Sequence, residues 1–454
     1  MEPDDCRTIA LDLEETGMVD LFSVSTGGYL AFDQLIGGMH EEHGYELSQS
    51  VPASRALKKP SFVVGRITTL EEADRIISSG EADMVSMIRA TLADPDIVRK
   101  SQEGRTEDVR PCLGCNQGCI GGSTGPLMRF GCVVNVGAGQ ELRFGDDTIT
   151  PSAESKRVMV IGGGPAGLEA ARVAALRGHQ VTLYEASDEL GGQVKLARKA
   201  PTRDEFGKDI DWIVPQLRKL EVKIELNKKV DEEIIEKEKP EAIILATGST
   251  PRRDGFQAAR PASPVIGINN KNVFTSWEIM AEEVETGKHV LVFDDVGHYE
   301  GIAVAEFLLE KGVAVTFATP HTSIGPQTVG ALMRDPALRR LTDHESGFSL
   351  VPRAQLSAIQ KDSVVITNLD SGKDHIHAAD SVVLISGNES NRGLVDVLEE
   401  YAGEVFVTGD AVASRPMEKA IHDGHYAALR ISDNQIVIPS TAILSQTSNP
   451  LSGE

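Results

Sequence analysis

The chain has 454 residues, only 5 of them cysteines, an aromatic content of 5% and a formal net charge of −23 at pH 7. This acidic excess excludes a general electrostatic attraction to nucleic acid or to anionic lipid. The length suits two or three domains, and no run of about 18 apolar residues predicts a transmembrane helix.

The first 110 residues predict three apolar strands, with a helix between the second and the third. The strands are predicted at Val19–Ser25, Ser61–Ile67 and Asp83–Ile88. The helix LEEADRIISSG is expected to start with the capping box Thr68-x-x-Glu71 and to end at Gly80. His40 and His43, in GGMHEEHGYE, have no evident third metal ligand nearby, so we expect a solvated loop there.

Four cysteines lie in one stretch, CLGCNQGCIGGSTGPLMRFGC, with the spacing C-x2-C-x3-C-x12-C; they are Cys112, Cys115, Cys119 and Cys132. Four thiols in one loop of a long, cysteine-poor chain indicate a metal site rather than a disulfide framework. Zinc is one reading, since C-x2-C is a common zinc half-site, but zinc sites usually consist of two paired halves. Three crowded thiolates with a later fourth favour a [4Fe–4S] cluster. The polar residues 140–157 that follow predict a linker.

A dinucleotide-binding fingerprint follows in KRVMVIGGGPAGLEAARVAALRGHQVTLYEASDELGGQ. A strand at residues 157–161 leads into Gly162-x-Gly164-x-x-Gly167, then an alanine-rich helix, and then a strand that ends at Glu185. The glycines allow a tight turn, close approach of the backbone to a pyrophosphate, and helix–strand packing. The helix N-terminus suits the phosphates, and Glu185 is placed to bind the adenosine ribose.

Two further segments fit the same domain, and both end a predicted strand in a turn. AIILATGSTP contains Thr247 and Gly248, and VFVTGDAVASRPMEKAIHDGHYAALRI contains Gly409 and Asp410. An aspartate in that place can bind a ribityl hydroxyl of a flavin. Gly192 and Gln193, from the GGQ that closes the fingerprint, complete the predicted FAD or ADP contacts.

A second strand–helix–strand unit, HVLVFDDVGHYEGIAVAEFLLEKGVAVTFAT, departs from the fingerprint. Its turn places Asp294 and Asp295 where a phosphate loop normally has glycine. A carboxylate about 4 Å from a phosphate costs about 4 kcal/mol per charge pair at an effective dielectric constant near 20. We therefore expect a Rossmann-like domain that no longer binds NAD(P)H, although use of NAD(P)H stays open.

The motifs GGGPAGLEAA, ATG and TGDA together resemble the flavoprotein reductases that have two dinucleotide-binding domains. With the cysteine motif before them, the chain resembles the FMN, [4Fe–4S] and FAD-type oxidoreductases. That family includes trimethylamine dehydrogenase, related amine demethylases and 2,4-dienoyl-CoA reductase. The resemblance implies a flavin enzyme with FMN, a [4Fe–4S] cluster and FAD or ADP.

The family's barrel precedes its cluster, but residues 1–110 are too short for a (β/α)8 barrel, which needs roughly 250 residues. The resemblance maps VGRI and SMIRATLADPD onto the last two barrel strands and implies that Gly65, Arg66 and Arg89 hold the FMN phosphate. The chain would then be a fragment, a shortened gene product, or a subunit whose partner completes the barrel.

We therefore predict an α/β protein with a C-terminal barrel remnant, a cluster loop and two Rossmann-like domains. The predicted regions are residues 1–110 (partial barrel), 111–155 (cluster loop and linker), 156–270 with 396–440 (FAD or ADP domain), 271–395 (NAD(P)-like domain) and 441–454 (tail).

The leading functional reading is an amine dehydrogenase or demethylase that passes electrons from FMN through the cluster to an electron-carrier protein. The alternatives are an NAD(P)H-dependent enoate or dienoyl-CoA reductase, and an electron-transfer subunit or inactive remnant. The motifs indicate a small-molecule substrate, but they predict neither its identity nor a catalytic base. The acidic start, MEPDDC, does not resemble a signal peptide, and a thiolate-bound cluster predicts a reducing cytoplasm.

Overall fold

The computed structural model describes residues 2–125 and 128–432. The predicted tail at 441–454 and the end of the predicted FAD domain, residues 433–440, lie outside the described residues.

The N-terminal region contains three short parallel strands, which lie side by side in chain order and have helices around them. The strands are β1 (Phe22–Val24), β2 (Ser61–Val63) and β3 (Met84–Val85). The helices are α1 (Pro3–Glu15), α2 (Phe32–Leu35), α3 (Leu47–Ala56), α4 (Leu70–Ser78), α5 (Ile88–Ala93) and α6 (Ile97–Gln102). The order of strand, helix and parallel strand is that of a barrel or doubly wound segment.

Helix α4 begins at Leu70, as the sequence predicts, but its N-cap lies one residue later than the predicted Thr68. Thr69 is its N-cap and accepts a hydrogen bond from the Glu72 backbone N at 3.2 Å. The Glu72 carboxylate in turn accepts a hydrogen bond from the Thr68 backbone N at 3.1 Å. The capping box predicted at Thr68 and Glu71 is therefore wrong, because adjacent threonines and adjacent glutamates allow two registers and the sequence does not choose between them.

The cysteine segment has little regular structure. It contains 3-10 turns at Thr106–Asp108 and Asp146–Thr148, a π-helical turn at Gln117–Gly121, and the short helices α7 (Gly122–Thr124) and α8 (Glu141–Phe144). Its backbone donors and acceptors are satisfied largely by local turns, such as Gly121 N to Asn116 O at 2.8 Å. The side chains of this segment are therefore positioned by loop packing rather than by a sheet.

The first dinucleotide-type domain contains a parallel five-stranded sheet. Its strands are β4 (Arg157–Ile161), β5 (Gln180–Tyr184), β6 (Lys223–Glu225), β7 (Ala242–Leu245) and β18 (Glu404–Val407). They lie in the order β18-β7-β4-β5-β6. The helices are α9 (Pro165–Leu176), α10 (Val194–Ala197), α11 (Gly207–Lys219), α12 (Glu232–Glu238), α16 (Val395–Leu398) and α17 (Met417–Leu429). Strand β4 is central and its apolar residues are buried, so its carboxyl end opens on the middle of the domain.

The second domain lies between β7 and β18 in the chain and has a parallel sheet in the order β12-β11-β10-β16-β9. The remaining strands are β8 (Ser249–Thr250), β9 (Val273–Thr275), β10 (His289–Asp294), β11 (Ala314–Ala318), β12 (Phe348–Val351), β13 (Ala354–Ile359), β14 (Ser363–Asn368), β15 (Asp374–Ala378), β16 (Ser381–Ile385) and β17 (Glu389–Ser390). Its helices are α13 (Ser276–Ala281), α14 (Tyr299–Glu310) and α15 (Arg334–Thr342). Strands β8 and β17 pair antiparallel where the chain enters and leaves this domain.

The predicted α/β fold class is confirmed, since two parallel sheets with flanking helices follow the partial N-terminal sheet and the cysteine loop. Within the described ranges, no helix is both long enough and apolar enough to cross a membrane.

Candidate cofactor-binding site

The first phosphate turn joins β4 to α9. Gly162 has φ +110°, and a Cβ on Gly167 would collide with the carbonyl oxygen of Gly162, so both positions require glycine. A Cβ on Gly164 would meet nothing nearer than the Gly192 Cα at 3.9 Å. The space before the α9 N-terminus is therefore open, which is the place where a pyrophosphate binds in such turns.

The acid at the end of β5 is held against this turn. The Glu185 carboxylate accepts hydrogen bonds from Gly163 N at 2.7 Å, Ser187 N at 2.8 Å and Ser187 Oγ at 2.9 Å. These donors fix its orientation at the rim of the cavity. Its remaining lone pairs suit ribose hydroxyl groups.

The predicted contacts of the C-terminal segment converge on the same place. Asp410 Oδ2 accepts hydrogen bonds from Ser249 Oγ at 2.9 Å and from Gln193 Nε2 at 3.1 Å. Ser249 follows Gly248, which has φ +72°, and links the two predicted segments. Sequence reasoning missed Ser249, although its position directly after the Thr-Gly turn was a usable signal.

One cavity of about 910 Å³ collects most of these groups. Of the predicted residues, it is lined by Gly162, Gly164, Glu185, Gly192, Gln193, Thr247, Gly248 and Asp410. Gly167 and Gly409 lie behind it, where a Cβ on Gly409 would come within 2.7 Å of the Ala166 Cβ. The size and lining fit a dinucleotide or a flavin nucleotide.

The cysteine loop is tightly packed around its own backbone. Gly114 N donates to Cys112 Sγ at 3.4 Å, and Asn116 has φ +57°. A Cβ on Gly118 would come within 3.0 Å of the backbone of Cys132, so the late cysteine lies directly against the turn that contains Cys119. The loop therefore brings the cysteine at the end of the x12 gap back to the other three.

The four thiols are close enough to influence one another electrostatically. Burial, and then the neighbouring Cys119, Cys132 and Cys112, raises the pKa of Cys115. Burial and Cys112 raise the pKa of Cys132 to about 12. Among residues 2–125 and 128–432, no three His, Cys, Asp or Glu side chains converge closely enough to hold a single metal ion. Neighbouring, half-buried thiols fit an iron–sulfur group, whose iron would supply the positive charge that favours thiolate.

The resemblance assigns three residues to the FMN phosphate. They lie against this loop, and the two arginines already have hydrogen-bond or ion-pair partners in the protein. Arg66 is buried, its Nη2 lies 2.5 Å from Glu205 Oε2, and its Nη1 donates to the carbonyl of Glu41. Arg89 Nη1 donates to Gly37 O and to Asn116 Oδ1, both at 2.7 Å. A Cβ on Gly65 would come within 2.9 Å of the Glu46 Cβ. The phosphate role stays a prediction, and it would require Arg66 to exchange its carboxylate partner.

The expectation of a solvated loop around His40 and His43 is wrong for His40, whose side chain is buried, and holds for His43 only in part, because His43 is exposed but pairs with a carboxylate. His43 Nε2 lies 2.8 Å from Glu205 Oε1, and this contact, followed by Glu72, raises the pKa of His43 to about 9. His40 has a side chain that is only 5% exposed, and burial lowers its pKa to about 3. The carboxylate that orders His43 lies 162 residues away in the chain, so local sequence could not indicate it.

The second phosphate turn is closed by its own aspartate. Asp294 is fully buried, and its Oδ1 accepts hydrogen bonds from Val296 N at 3.0 Å and Gly297 N at 2.9 Å. Asp295 Oδ2 accepts one from Ala258 N at 2.7 Å. The Asp294 carboxylate therefore points inward and uses the backbone donors that a phosphate would need, instead of standing in the space of the phosphate.

The burial of Asp294 predicts how the free energy of unfolding depends on pH. Burial raises the pKa of Asp294 from 3.8 to about 7. The folded chain then keeps a proton that the unfolded chain loses, so the free energy of unfolding falls between these two pH values and levels off above 7. Asp294→Asn should stabilise the protein by about 1.6 kcal/mol at pH 5 and by about 4 kcal/mol at pH 8, at most.

Guanidinium denaturation at both pH values measures this effect, with the exposed Asp362→Asn as the control. An equal effect of Asp294→Asn at pH 5 and pH 8 would show that Asp294 is ionised in the folded protein.

The fold and the site are those of a chain with two dinucleotide-binding-type domains, the first of which has a cavity that fits a dinucleotide or a flavin nucleotide. Residues 156–421 match the family model of pyridine nucleotide-disulphide oxidoreductases, and residues 18–108 match that of the NADH:flavin oxidoreductase / NADH oxidase family. The chain belongs to the pyridine nucleotide-disulphide oxidoreductase family, in the group that joins this region to an NADH:flavin oxidoreductase region.

The chain is similar to several named proteins. The chain is 32% identical to a probable N-methylproline demethylase of Rhizobium meliloti, over 91% of this chain and 64% of the relative. It is 32% identical to an NADH oxidase of Thermoanaerobacter brockii, over 94% of this chain and 63% of the relative. The structure of histamine dehydrogenase from Rhizobium sp. 4-9 superposes with a TM-score of 0.87 at 27% identity, over 96% of this chain and 65% of that one. The chain thus spans less than two thirds of the length of each.

Proposed function

We propose that the chain is the part of an amine dehydrogenase or demethylase-type oxidoreductase that binds a [4Fe–4S] cluster and FAD or ADP. When bound, these groups together with FMN would supply two-electron exchange with a small substrate and one-electron transfer onward. The observation that supports this most directly is the junction between the cysteine loop and the nucleotide cavity.

Side chains from the cysteine loop and from the first dinucleotide-type domain form this junction. Gln117, which lies between Cys115 and Cys119, lines the same cavity as Gly164. On the opposite side, His422 of α17 donates from Nε2 to the carbonyl of Cys132 at 2.9 Å. Helix α17 also supplies Met417 and Ala420 to the cavity wall. A cluster and a flavin nucleotide held here would be joined by one packed set of residues.

The roles follow from these positions. Cys112, Cys115, Cys119 and Cys132 would hold the cluster. The α9 N-terminus with Gly162 and Gly164 would bind the pyrophosphate, Glu185 the ribose, and Asp410 with Gln193 the flavin side of the nucleotide. Gly65, Arg66 and Arg89 would hold the FMN phosphate. A separate electron-carrier protein would take the electrons, and the other barrel strands with the substrate pocket would come from a further part of the same protein or from a partner subunit.

The amine branch is favoured by the relative named N-methylproline demethylase and by the structural similarity to histamine dehydrogenase. The second candidate, an NAD(P)H-dependent enoate or dienoyl-CoA reductase, is favoured by the relative named NADH oxidase. The third is an electron-transfer subunit or inactive remnant. A thiolate-bound cluster makes a reducing compartment such as the cytoplasm the proposed location.

Anaerobic reductive titration of the purified protein tests the proposal. We expect the flavin absorption to bleach on uptake of two electrons. Uptake of one more electron should produce a paramagnetic iron–sulfur signal. Protein that contains zinc and no flavin would contradict it. Turnover of N-methylated amines together with the missing barrel half would then separate the enzyme from the inactive remnant.

We expect NADH and NADPH to reduce the flavin slowly or not at all. Asp294 occupies the two backbone donors of the second phosphate turn, so this turn has little left to offer a nucleotide phosphate. Anaerobic stopped-flow mixing measures the rate, with dithionite as the positive control. Reduction by nicotinamide in the double variant Asp294→Gly/Asp295→Gly would support the explanation. Rapid bleaching of the wild type by micromolar NADPH would move the assignment to the reductase.

A further inference from the structure

A buried arginine at the edge of the cavity, Arg203, has no hydrogen-bond acceptor and no ion-pair partner for its guanidinium among the described residues. The Arg203 side chain is among the largest that are fully buried, and the residue is 2% exposed. Among the described residues, its Nε, Nη1 and Nη2 find no hydrogen-bond acceptor, and no carboxylate lies within 4.0 Å of them. Burying a guanidinium without an anion is unfavourable, so an anionic group outside the polypeptide is expected beside it.

The surroundings of Arg203 point to the cysteine loop. The guanidinium stacks on the ring of Tyr299, 4.7 Å from its centroid, and Tyr299 Oη donates to the carbonyl of Cys115 at 3.4 Å. A charge on Cys115 acts on Arg203 through space and favours its charged form. Arg203, Tyr299 and the cysteine loop thus form one continuous stack.

The Glu306 carboxylate lies in this neighbourhood but pairs with Arg340, and only its Oε2 is left without a hydrogen-bond partner. Glu306 also acts on Arg203 through space, but its Oε1 accepts hydrogen bonds from Arg340 Nη2 at 2.5 Å and Nε at 3.0 Å. The first phosphate turn has its own positive partner in the α9 N-terminus. A cluster held by four thiolates would carry a net negative charge, and Arg203 would add its charge to that of Arg89, which acts on Cys119.

We propose that Arg203 is a counter-charge of the iron–sulfur cluster and that it raises the reduction potential of the cluster, with Tyr299 as the bridge that positions it. This inference rests on the proposed function. Reduction of the cluster adds one electron and no proton, so its charge becomes more negative by one. A fixed guanidinium nearby stabilises that reduced form more than the oxidised form, because the attraction grows with the charge.

Three variants test the inference by equilibrium redox titration of the cluster signal. Arg203→Met removes the charge and should shift the reduced-to-oxidised ratio at a fixed potential on the order of tenfold, or about 59 mV downward. Arg203→Lys keeps the charge and should stay near the wild type. Arg198→Met, which removes a half-exposed arginine paired with Asp211 on the same segment, should change nothing.

The outcomes separate the inference from the proposed function. Wild-type protein without iron would refute the proposed cluster itself. A cluster of unchanged potential in Arg203→Met would overturn the counter-charge alone, as would loss of nucleotide affinity with the potential unchanged. Loss of the cluster in Arg203→Met but not in Arg203→Lys would support the inference. Loss in both would overturn it, because shape rather than charge would then be the requirement.

Discussion

Cys115→Ala protein, purified without oxygen, is expected to contain almost no iron or sulfide, whereas the wild type should contain about four of each per chain. Cys115 is half-buried in the loop, and each of the other three thiols acts on it electrostatically. Removing one ligand of four would leave one iron without a thiolate ligand and three half-buried thiols without their charge compensation. The matched control is Cys6→Ala, since Cys6 is exposed on α1 and should leave the metal content unchanged.

Metal analysis, acid-labile sulfide and the visible absorption of the cluster measure this prediction. Nucleotide binding by Cys115→Ala shows whether the rest of the chain still folds, because the first dinucleotide sheet does not include the loop. One equivalent of zinc with no sulfide in the wild type would assign the four thiols to zinc instead. Full iron content in Cys115→Ala would exclude Cys115 as a ligand.

The sequence predicts most reliably the features whose chemistry is local. The first fingerprint is one example, since strand, turn, helix and terminal acid lie within about thirty residues and glycine is required by sterics at the turn. Gly162 has the positive φ that such a turn needs, and Glu185 lies beside the turn. The cysteine motif is another local pattern, and its assignment to a cluster stays a prediction.

The sequence predicts poorly whatever depends on partners distant in the chain. Glu205, on a 3-10 turn between α10 and α11, pairs with both Arg66 and His43 from the N-terminal region. This one carboxylate explains why a predicted phosphate ligand is buried and why a predicted solvated histidine is ordered. The sequence also does not indicate the direction in which the Asp294 side chain points. An acid in a phosphate turn can oppose the ligand or bind the turn from inside, and only three-dimensional structure separates these cases.

Glu205 also shows how the two regions are held together. Besides Arg66 and His43, it contacts Lys208 at 3.0 Å, and its pKa falls to about 2 because the hydrogen bond from His43 and the charges of Arg66 and Lys208 outweigh burial. A carboxylate that contacts three cations constrains the two regions more than an isolated surface ion pair would. It is largely shielded from solvent, so its charge interactions are less screened. The N-terminal strands are thereby fixed to the domain that contains the nucleotide cavity.

Gly164→Asp is expected to abolish binding of FAD and ADP while leaving the ligand-free fold intact. Gly164 does not have a positive φ, and its Cβ position faces open space, so the polypeptide itself tolerates a side chain there. That open space is the place assigned to the pyrophosphate. A carboxylate about 4 Å from it costs about 4 kcal/mol, which weakens binding roughly a thousandfold before any steric overlap is counted.

Calorimetric titration of nucleotide-free protein with FAD and with ADP measures the loss. The matched control is Gly28→Asp, because Gly28 also faces open space without a positive φ but lies in the N-terminal region, away from the cavity. Both variants should unfold at the temperature of the ligand-free wild type, and only the control should be stabilised by added nucleotide. Equal affinity of Gly164→Asp and the wild type would place the nucleotide elsewhere, since no dinucleotide bound at the α9 N-terminus could share that space with a carboxylate.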